Sequence, residues 1–296
     1  MLNWRLGVIL IAAITISCTP RKPAVQVGGA LTDALGRQYV LGESPQRIVS
    51  LVPAVTEILF AIGAGEKLVG VTQYCDYPPE ARDRTSVGGF SGATISMERV
   101  AALQPGLVLL SADMHARVLT LLDALDIPSF AVEPRDFSQV YETISLVGKL
   151  SGCEIGAENL IAEMKNKIEL ARGRINGRER PAVFWILSED PLVTVGAGNF
   201  VSQAIDLGGG RNIFDDIPEQ WPMVSHEQVL LRKPDWVFFG SDMGESAALL
   251  SSNPMWQMIL MGKENRLAEI NADLFYRYGP RLADGVVYIS RILHPY

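Results

Sequence analysis

The chain predicts two α/β lobes, each with a mainly parallel sheet flanked by helices, joined by one long α-helix. Three observations carry this. Short runs that are apolar along their whole length alternate with amphipathic segments, the pattern of parallel strands covered by helices on both faces. One uninterrupted amphipathic segment, Glu154 to Ile175, divides that alternation into two halves. A phrase from the first half, "SMERVAALQPGLVLL" from Ser96, returns in the second as "SHEQVLLRKPDWVFF" from Ser225. The matches are Ser96/Ser225, Glu98/Glu227, Val100/Val229, Pro105/Pro234 and Val108/Val237, each 129 residues apart. The length agrees, since 296 residues exceed what one ordinary core holds and suit two domains of about 120 residues.

The chain opens on "MLNWRLGVILIAAITISC", where Arg5 precedes an uncharged apolar run from Leu6 to Ser17. That run has the length of a signal peptide and is too short to span a membrane as a mature helix. It stops at Ser17-Cys18, a small residue followed by cysteine, which resembles the lipobox of bacterial lipoproteins and marks Cys18 for lipidation; Thr15 departs from the aliphatic residue usual at the start of that motif. With Cys18 lipidated, only Cys75 and Cys153 remain, too far apart to suggest a disulfide framework, so both read as free, packed thiols. "TPRKPAVQVGGA" then reads as a polar tether that holds the folded part off a membrane.

Folded sequence begins with short β-like runs on either side of a turn at Gly36, and "RIVSLV" reads as a buried strand. "TEILFAIGAG" reads as a helix with Glu57 in its first turn and Gly63 and Gly65 where a C-cap belongs. Strand and helix then alternate through "LVGVTQY", "SMERVAAL", "LVLLS", "ARVLTLLDAL", "PSFAV" and "FSQVYETISLVGKL". In the long segment Leu160, Ile161, Met164, Ile168, Ala171 and Ile175 share one face, and "NGRERP" ends it. "AVFWIL", "LVTVG", "NFVSQAIDLGG", "HEQVLLRK", "WVFFG", "PMWQMIL" and "LAEI" resume the alternation. The organisation is a signal peptide at 1–17, a tether at 18–30, a first lobe at 31–152, a linking helix at 153–177 and a second lobe at 178–296. The repeated phrase falls on a helix-then-strand unit in each lobe, with Ser as the helix cap and Pro in the turn.

Composition and motifs exclude several functions. Apolar residues at 48% and charged residues at 20% fit a globular chain. A net charge of −7 without a Lys/Arg block disfavours nucleic acid, which needs clustered positive charge. "GAGEKL" and "GAGNFV" put Leu68 and Val201 where a dinucleotide motif needs its third glycine, and no phosphate-binding GxxxxGK[ST] occurs. "GGFSGA" lacks the GxSxG elbow of a serine hydrolase, and His115, His226 and His294 are scattered with no ligand cluster beside them. What remains is a binder without catalytic residues, cofactor or metal.

Each repeated glutamate has an ordinary reading, because a carboxylate just inside a helix N-terminus gains about 0.3–1 kcal/mol from the helix dipole. Together Glu98 and Glu227 form something further, two separated anionic knobs suited to a partner carrying two arginine clusters.

"PQRIVSLVPAVTEILFAIGAGEKLVGVTQYCDYPPEA", "SMERVAALQPGLVLL", "VTVGAGNFVSQAIDLGGGRNIF" and "WPMVSHEQVLLRKPDWVF" resemble the substrate-binding proteins of ABC importers for vitamin B12, ferric siderophores and haem. The resemblance runs from about residue 30 to the end of the chain. It implies two Rossmann-like lobes on a single linking helix, one ligand in the cleft between them, and a glutamate on each lobe that engages arginines of the permease dimer. Those glutamates are Glu98 and Glu227. "YCDYPP", "QWPMVS" and "DLFYR" are similar to the cobalamin-binding members, which makes Tyr74 and Trp221 cleft walls and Asp273 and Arg277 contacts to the polar rim of a corrin; Phe90 falls near where an aromatic is expected in the first lobe. Ser111 and Val193 stand where larger aromatics would help grip the ring. The alternatives are a ferric siderophore, with Arg277 or Arg281 against its acids, or haem, with Tyr74 as axial ligand. The resemblance implies a lipid-anchored, monomeric receptor in the periplasm or on the outer face of the cytoplasmic membrane.

Overall fold

The computed structural model describes residues 29–243, 252–261 and 266–295. The expected signal peptide, Cys18 and nearly all of the expected tether lie outside the described residues. A small antiparallel hairpin, β1 (Ala30–Thr32) and β2 (Gln38–Val40), precedes the first lobe. That lobe is an all-parallel sheet of β3 (Ile48–Ser50), β4 (Leu68–Val71), β5 (Thr85–Ser86), β6 (Leu107–Ser111) and β7 (Ser129–Val132), in the order β5-β4-β3-β6-β7. Helices α1 (Pro53–Ala61), α2 (Met97–Ala102), α3 (Ala116–Ala124) and α4 (Phe137–Ser151) belong to the same lobe.

The inner strands β3, β4 and β6 are mostly apolar because both faces are covered, whereas the edge strand β5 is polar and exposed. Along β6, Leu107 and Leu109 join the core beneath α1 and α4, whereas Val108 and Leu110 join the core beneath α2 and α3. Two-sided burial removes the alternation that a half-exposed strand shows.

The linker α5 (Glu154–Ile175) leaves α4 after only Gly152 and Cys153 and runs 22 residues, about 33 Å at helical rise. It buries Ala157, Leu160, Met164, Ile168 and Ala171 on one face, with Ile161 and Ile175 half-buried at its margins. That face packs on α4 of the first lobe and on the C-terminal helix of the second. At its start a Cβ on Gly156 would lie 2.2 Å from the Ile62 carbonyl oxygen, so glycine lets α5 press against the end of α1.

The second lobe holds a four-stranded parallel sheet in the order β11-β8-β12-β13, from β8 (Ala182–Ile186), β11 (Arg211–Asn212), β12 (Trp236–Gly240) and β13 (Leu267–Ile270). Its helices are α6 (Phe200–Leu207), α7 (His226–Arg232), α8 (Pro254–Ile259) and α9 (Leu282–Leu293), the last packing on α5. The expected strand in "LVTVG" corresponds instead to the short antiparallel hairpin β9 (Ser188–Glu189) and β10 (Leu192–Val193), outside the parallel sheet. A short apolar run reads alike in either setting.

The repeated phrase builds the same unit twice. The Ser96 hydroxyl caps α2 by accepting from the Arg99 N–H at 3.3 Å, and the Ser225 hydroxyl caps α7 by accepting from the Gln228 N–H at 3.3 Å. After each helix a non-glycine residue takes a left-handed backbone, Gln104 at φ 45° and Lys233 at φ 49°, before the proline turn and the strand. These two also stand 129 residues apart, so the repetition extends to backbone conformation.

One expectation for α1 is corrected. The helix begins at Pro53, with Val52 as N-cap, no capping side chain and no acid in its first turn. Proline at the first helical position needs no N–H partner and draws the start three residues earlier than expected. Glu57 is thereby moved into the helix interior, and it is 1% exposed.

Candidate functional site

In parallel α/β sheets the loops that leave the carboxyl ends of the strands carry the ligand site. Here those ends of the two sheets line a shared cavity of 680 Å³. The first lobe contributes Tyr74 beyond β4, Phe90 beyond β5, Ser111 at the end of β6 and Glu133 beyond β7. The second contributes Trp221 beyond β11, Asp242 beyond β12, and Asp273, Tyr276, Arg277 and Tyr278 beyond β13. All five residues expected to contact a ligand, Tyr74, Phe90, Trp221, Asp273 and Arg277, are therefore brought to one cavity. Tyr74, Phe90 and Trp221 are 49%, 40% and 42% exposed, so the cavity wall presents aromatic surface to solvent. Ser111 lines the cavity, whereas Val193 sits in the β9–β10 hairpin, bridged to Met223 and outside the lining.

Tyr74 and Phe90 meet edge to face, with ring centroids 5.8 Å apart. The Phe90 loop is held from behind by His115, which is fully buried. Its Nδ1 accepts from the Ser111 N–H at 3.0 Å, so Nε2 carries the proton and donates to the Phe90 carbonyl at 2.9 Å. Burial draws the His115 pKa below 6.5, so the ring is neutral, as its two bonds require.

An ion-pair cluster joins the lobes, and of its members Asp273 and Arg277 line the cavity. Arg277 is 14% exposed; its Nη1 reaches Asp76 Oδ1 at 2.8 Å and Glu57 Oε1 at 3.3 Å, and its Nη2 reaches Asp273 Oδ1 at 3.0 Å. Arg281 grips the same Glu57 with both prongs, Nη2 to Oε1 at 2.6 Å and Nε to Oε2 at 2.9 Å, while its guanidinium lies 3.9 Å from the centre of the Tyr77 ring. Burial alone lowers the pKa of each arginine, and the facing carboxylates outweigh it, holding both above the usual range. Burial likewise raises Asp76, and the hydrogen bond and charge of Arg277 outweigh it and hold that carboxyl below 3.8. Glu57 and Asp76 come from the first lobe and both arginines from the second, so the cluster is a clasp between them.

Charge in the cavity lining is unbalanced. Among the described residues Asp113, Glu133, Asp242 and Asp273 face it with Arg135 and Arg277, and Arg277 is already paired with Asp273 as well as with Glu57 and Asp76. Two of these acids belong to the repeat, because Asp113-Met114 and Asp242-Met243 continue the same 129-residue register past the strand ends.

Glu98 and Glu227 are both exposed in the first turn of their helices, α2 and α7. Each helix begins at the carboxyl end of its sheet, so both acids lie toward the side on which the cleft opens. Hydrogen bonds from the Ser225 hydroxyl and from backbone N–H hold Glu227 below the usual carboxylate range.

Sequence reasoning missed Glu57, Asp76, Glu133, Tyr276, Tyr278 and the supporting role of His115. One signal was present for Glu57, a single charge in an otherwise apolar helix, "PAVTEILFA". The offset of the repeat likewise pointed to Asp113 and Asp242.

Comparison with known proteins agrees with this geometry. The pattern of the periplasmic binding protein family matches residues 48–274. A vitamin B12-binding protein of Pectobacterium carotovorum subsp. carotovorum (strain PC1) is 33% identical over 241 residues, covering 80% of this chain and 84% of that protein. The crystal structure of the periplasmic vitamin B12-binding protein BtuF of Vibrio cholerae superposes with a TM-score of 0.71 at 29% identity, covering 84% of this chain and 96% of that one. The periplasmic haem-binding protein RhuT from Roseiflexus sp. RS-1, in apo form, gives a TM-score of 0.72 at 25% identity, covering 84% and 97%. Two parallel lobes on one linking helix, a cleft at their strand ends and a match across both lobes establish that the chain belongs to the periplasmic binding protein family, as the non-enzymatic substrate-binding protein of an ABC importer.

Proposed function

We propose that the protein captures a corrinoid between its lobes and hands it to an ABC permease without chemical change. The observation that carries this reading is the lining of the cleft, aromatic walls at Tyr74, Phe90 and Trp221 beside a rim in which carboxylates outnumber guanidinium groups. A flat macrocycle buries its faces against such walls. Its rim decides between candidates, because haem propionates and siderophore carboxylates bring negative charge toward Asp113, Glu133 and Asp242, while the amide rim of a corrinoid does not. Asp273 and Arg277 serve as orienting polar groups, with Arg277 pre-set by Glu57 and Asp76.

Glu98 and Glu227 are the docking acids of this proposal, one from each lobe toward the two subunits of a permease dimer. Lipidation at Cys18 tethers the receptor to the membrane, within reach of that permease. The test mixes the purified protein with cyanocobalamin, ferric siderophores or haemin and records visible absorbance after gel filtration. A protein fraction carrying the cobalamin spectrum is expected; a fraction coloured only by haem or a ferric siderophore contradicts the assignment.

A further inference from the structure

The aromatic wall at Phe90 stands on a loop that is bonded mainly to itself. Gly88 faces Ile95 in an antiparallel bridge, the Gly89 N–H donates to the Thr94 carbonyl at 3.0 Å, and the Thr94 N–H donates to the Ser91 carbonyl at 2.9 Å. Among the described residues, the bond from His115 to the Phe90 carbonyl is the one hydrogen bond that joins residues 89–94 to the rest of the chain. The loop lies close over the start of α3, where a Cβ on Gly92 would be 3.5 Å from the Met114 carbonyl oxygen.

The seat of the His115 ring is built by Ser111. Its N–H donates to His115 Nδ1, and its hydroxyl donates to Glu133 Oε2 at 2.6 Å while accepting from the Met114 N–H at 3.2 Å. A small polar residue at this position therefore ties the Glu133 side of the cleft to the Phe90 side, which an aromatic side chain would not do. The arrangement requires a neutral imidazole. A protonated ring carries N–H on both nitrogens, so its Nδ1–H would oppose the Ser111 N–H, and a ring driven from this seat takes the Phe90 tie with it.

Few charges bear on the ring. Glu133, beyond β7, favours protonation, as does the bond to Phe90, and burial outweighs both. Asp113 and Arg117 flank His115 along the chain and are exposed, as are Glu98 and Arg99 of α2, which packs on α3. The Phe90 loop, residues 88–95, carries no titratable side chain.

We infer that His115 is a positioning residue for ligand capture, a latch that holds the Phe90 wall in the cleft while its ring is neutral and frees it when the ring is protonated. The inference rests on the reading above that Phe90 walls the ligand site, and it uses cyanocobalamin as its probe.

The experiment follows calorimetric affinity for cyanocobalamin against pH, and chymotryptic cleavage after Phe90 in the ligand-free protein, for the purified full chain, His115→Ala and His115→Gln. Glutamine keeps a donor toward Phe90 and does not titrate. At neutral pH His115→Ala is expected to lose about tenfold in affinity and to be cut faster after Phe90, and His115→Gln to recover part of both. Below pH 6.5 the advantage of the unaltered protein over His115→Gln is expected to shrink, because only the unaltered protein loses its latch to a proton. An affinity ratio between these two that stays constant with pH overturns the latch and leaves the corrinoid reading standing, and this comparison decides even where His115→Ala fails to fold. Equal cleavage after Phe90 in the unaltered protein and a folded His115→Ala also overturns it. Absence of corrinoid binding by the unaltered protein overturns the corrinoid reading, and cleavage after Phe90 then decides the latch by itself.

Discussion

Ser96, Glu98, Gln104 and Pro105 in the first lobe answer to Ser225, Glu227, Lys233 and Pro234 in the second, and the helix, turn and strand that they build share caps and backbone angles. The repetition reaches the cleft rim at Asp113 and Asp242 and stops there. Beyond it the first lobe offers Tyr74, Phe90 with its His115 support, and Glu133; the second offers Trp221 and the run Asp273 to Tyr278. Matching outer units suit a partner made of two equal halves, which meets the same surface twice. A guest in the gap has no such symmetry, and the walls that face it are free to differ. The clasp of Glu57 by Arg277 and Arg281 belongs to the unequal part, one lobe supplying the anion and the other both cations.

The largest expected effect comes from breaking that inequality. Glu57→Gln leaves two guanidinium groups, 14% and 15% exposed, without their shared buried carboxylate. Removing one partner of a buried ion pair costs about 3 kcal/mol or more. Urea unfolding is expected to show a loss of this size, and a loss below about 0.5 kcal/mol would mean that the clasp holds nothing.

Acid separates two supports of the cleft. His115 has a folded pKa drawn below its ordinary 6.5, so its contribution is whole above 6.5 and is lost as pH falls through the lower folded value. Asp76 is held below 3.8, so its share persists to more acid conditions and is lost only as pH falls through its own depressed value. The melting temperature is therefore expected to decline in two stages, the Phe90 side first and the clasp afterwards. His115→Gln removes the upper stage; a single decline untouched by that substitution contradicts the assignment.

The smallest effect compares the two caps. Ser96→Ala and Ser225→Ala each cost about 1 kcal/mol. Ser225 should cost more, because the Gln228 side chain returns a bond by accepting from the Ser225 N–H at 2.8 Å, a reciprocal box that α2 lacks. Equal losses in urea would show that the second bond adds nothing.

What the sequence made legible follows from local physics. Two-sided burial wrote the central strands β6, β8 and β12 as nearly unbroken apolar runs, the face of α5 recurred at helical spacing, and the repeat carried its own caps. Tyr74, Trp221, Asp273 and Arg277 are named through the resemblance of "YCDYPP", "QWPMVS" and "DLFYR" to the cobalamin-binding members, with Phe90 near where an aromatic is expected, and the fold brings all five to one cavity. The clasp was not readable. Glu57 and Arg277 are 220 residues apart, and no local period relates a mid-helix acid to a distant loop arginine. Helix α1 misled further, since a start at Thr56 turns a buried acid into an ordinary first-turn acid. The bond from His115 to the Phe90 carbonyl is likewise a property of the packed molecule and has no signature along the chain.

The central claim is that equal outer units serve docking while unequal inner walls serve binding. The direct measurement compares cobalamin affinity with transport in membranes holding the permease, for Glu98→Lys, Glu227→Lys and both together. The account predicts unchanged affinity throughout, weakened transport in each single variant and abolished transport in the double. Full transport by a folded, ligand-loaded double variant would contradict it.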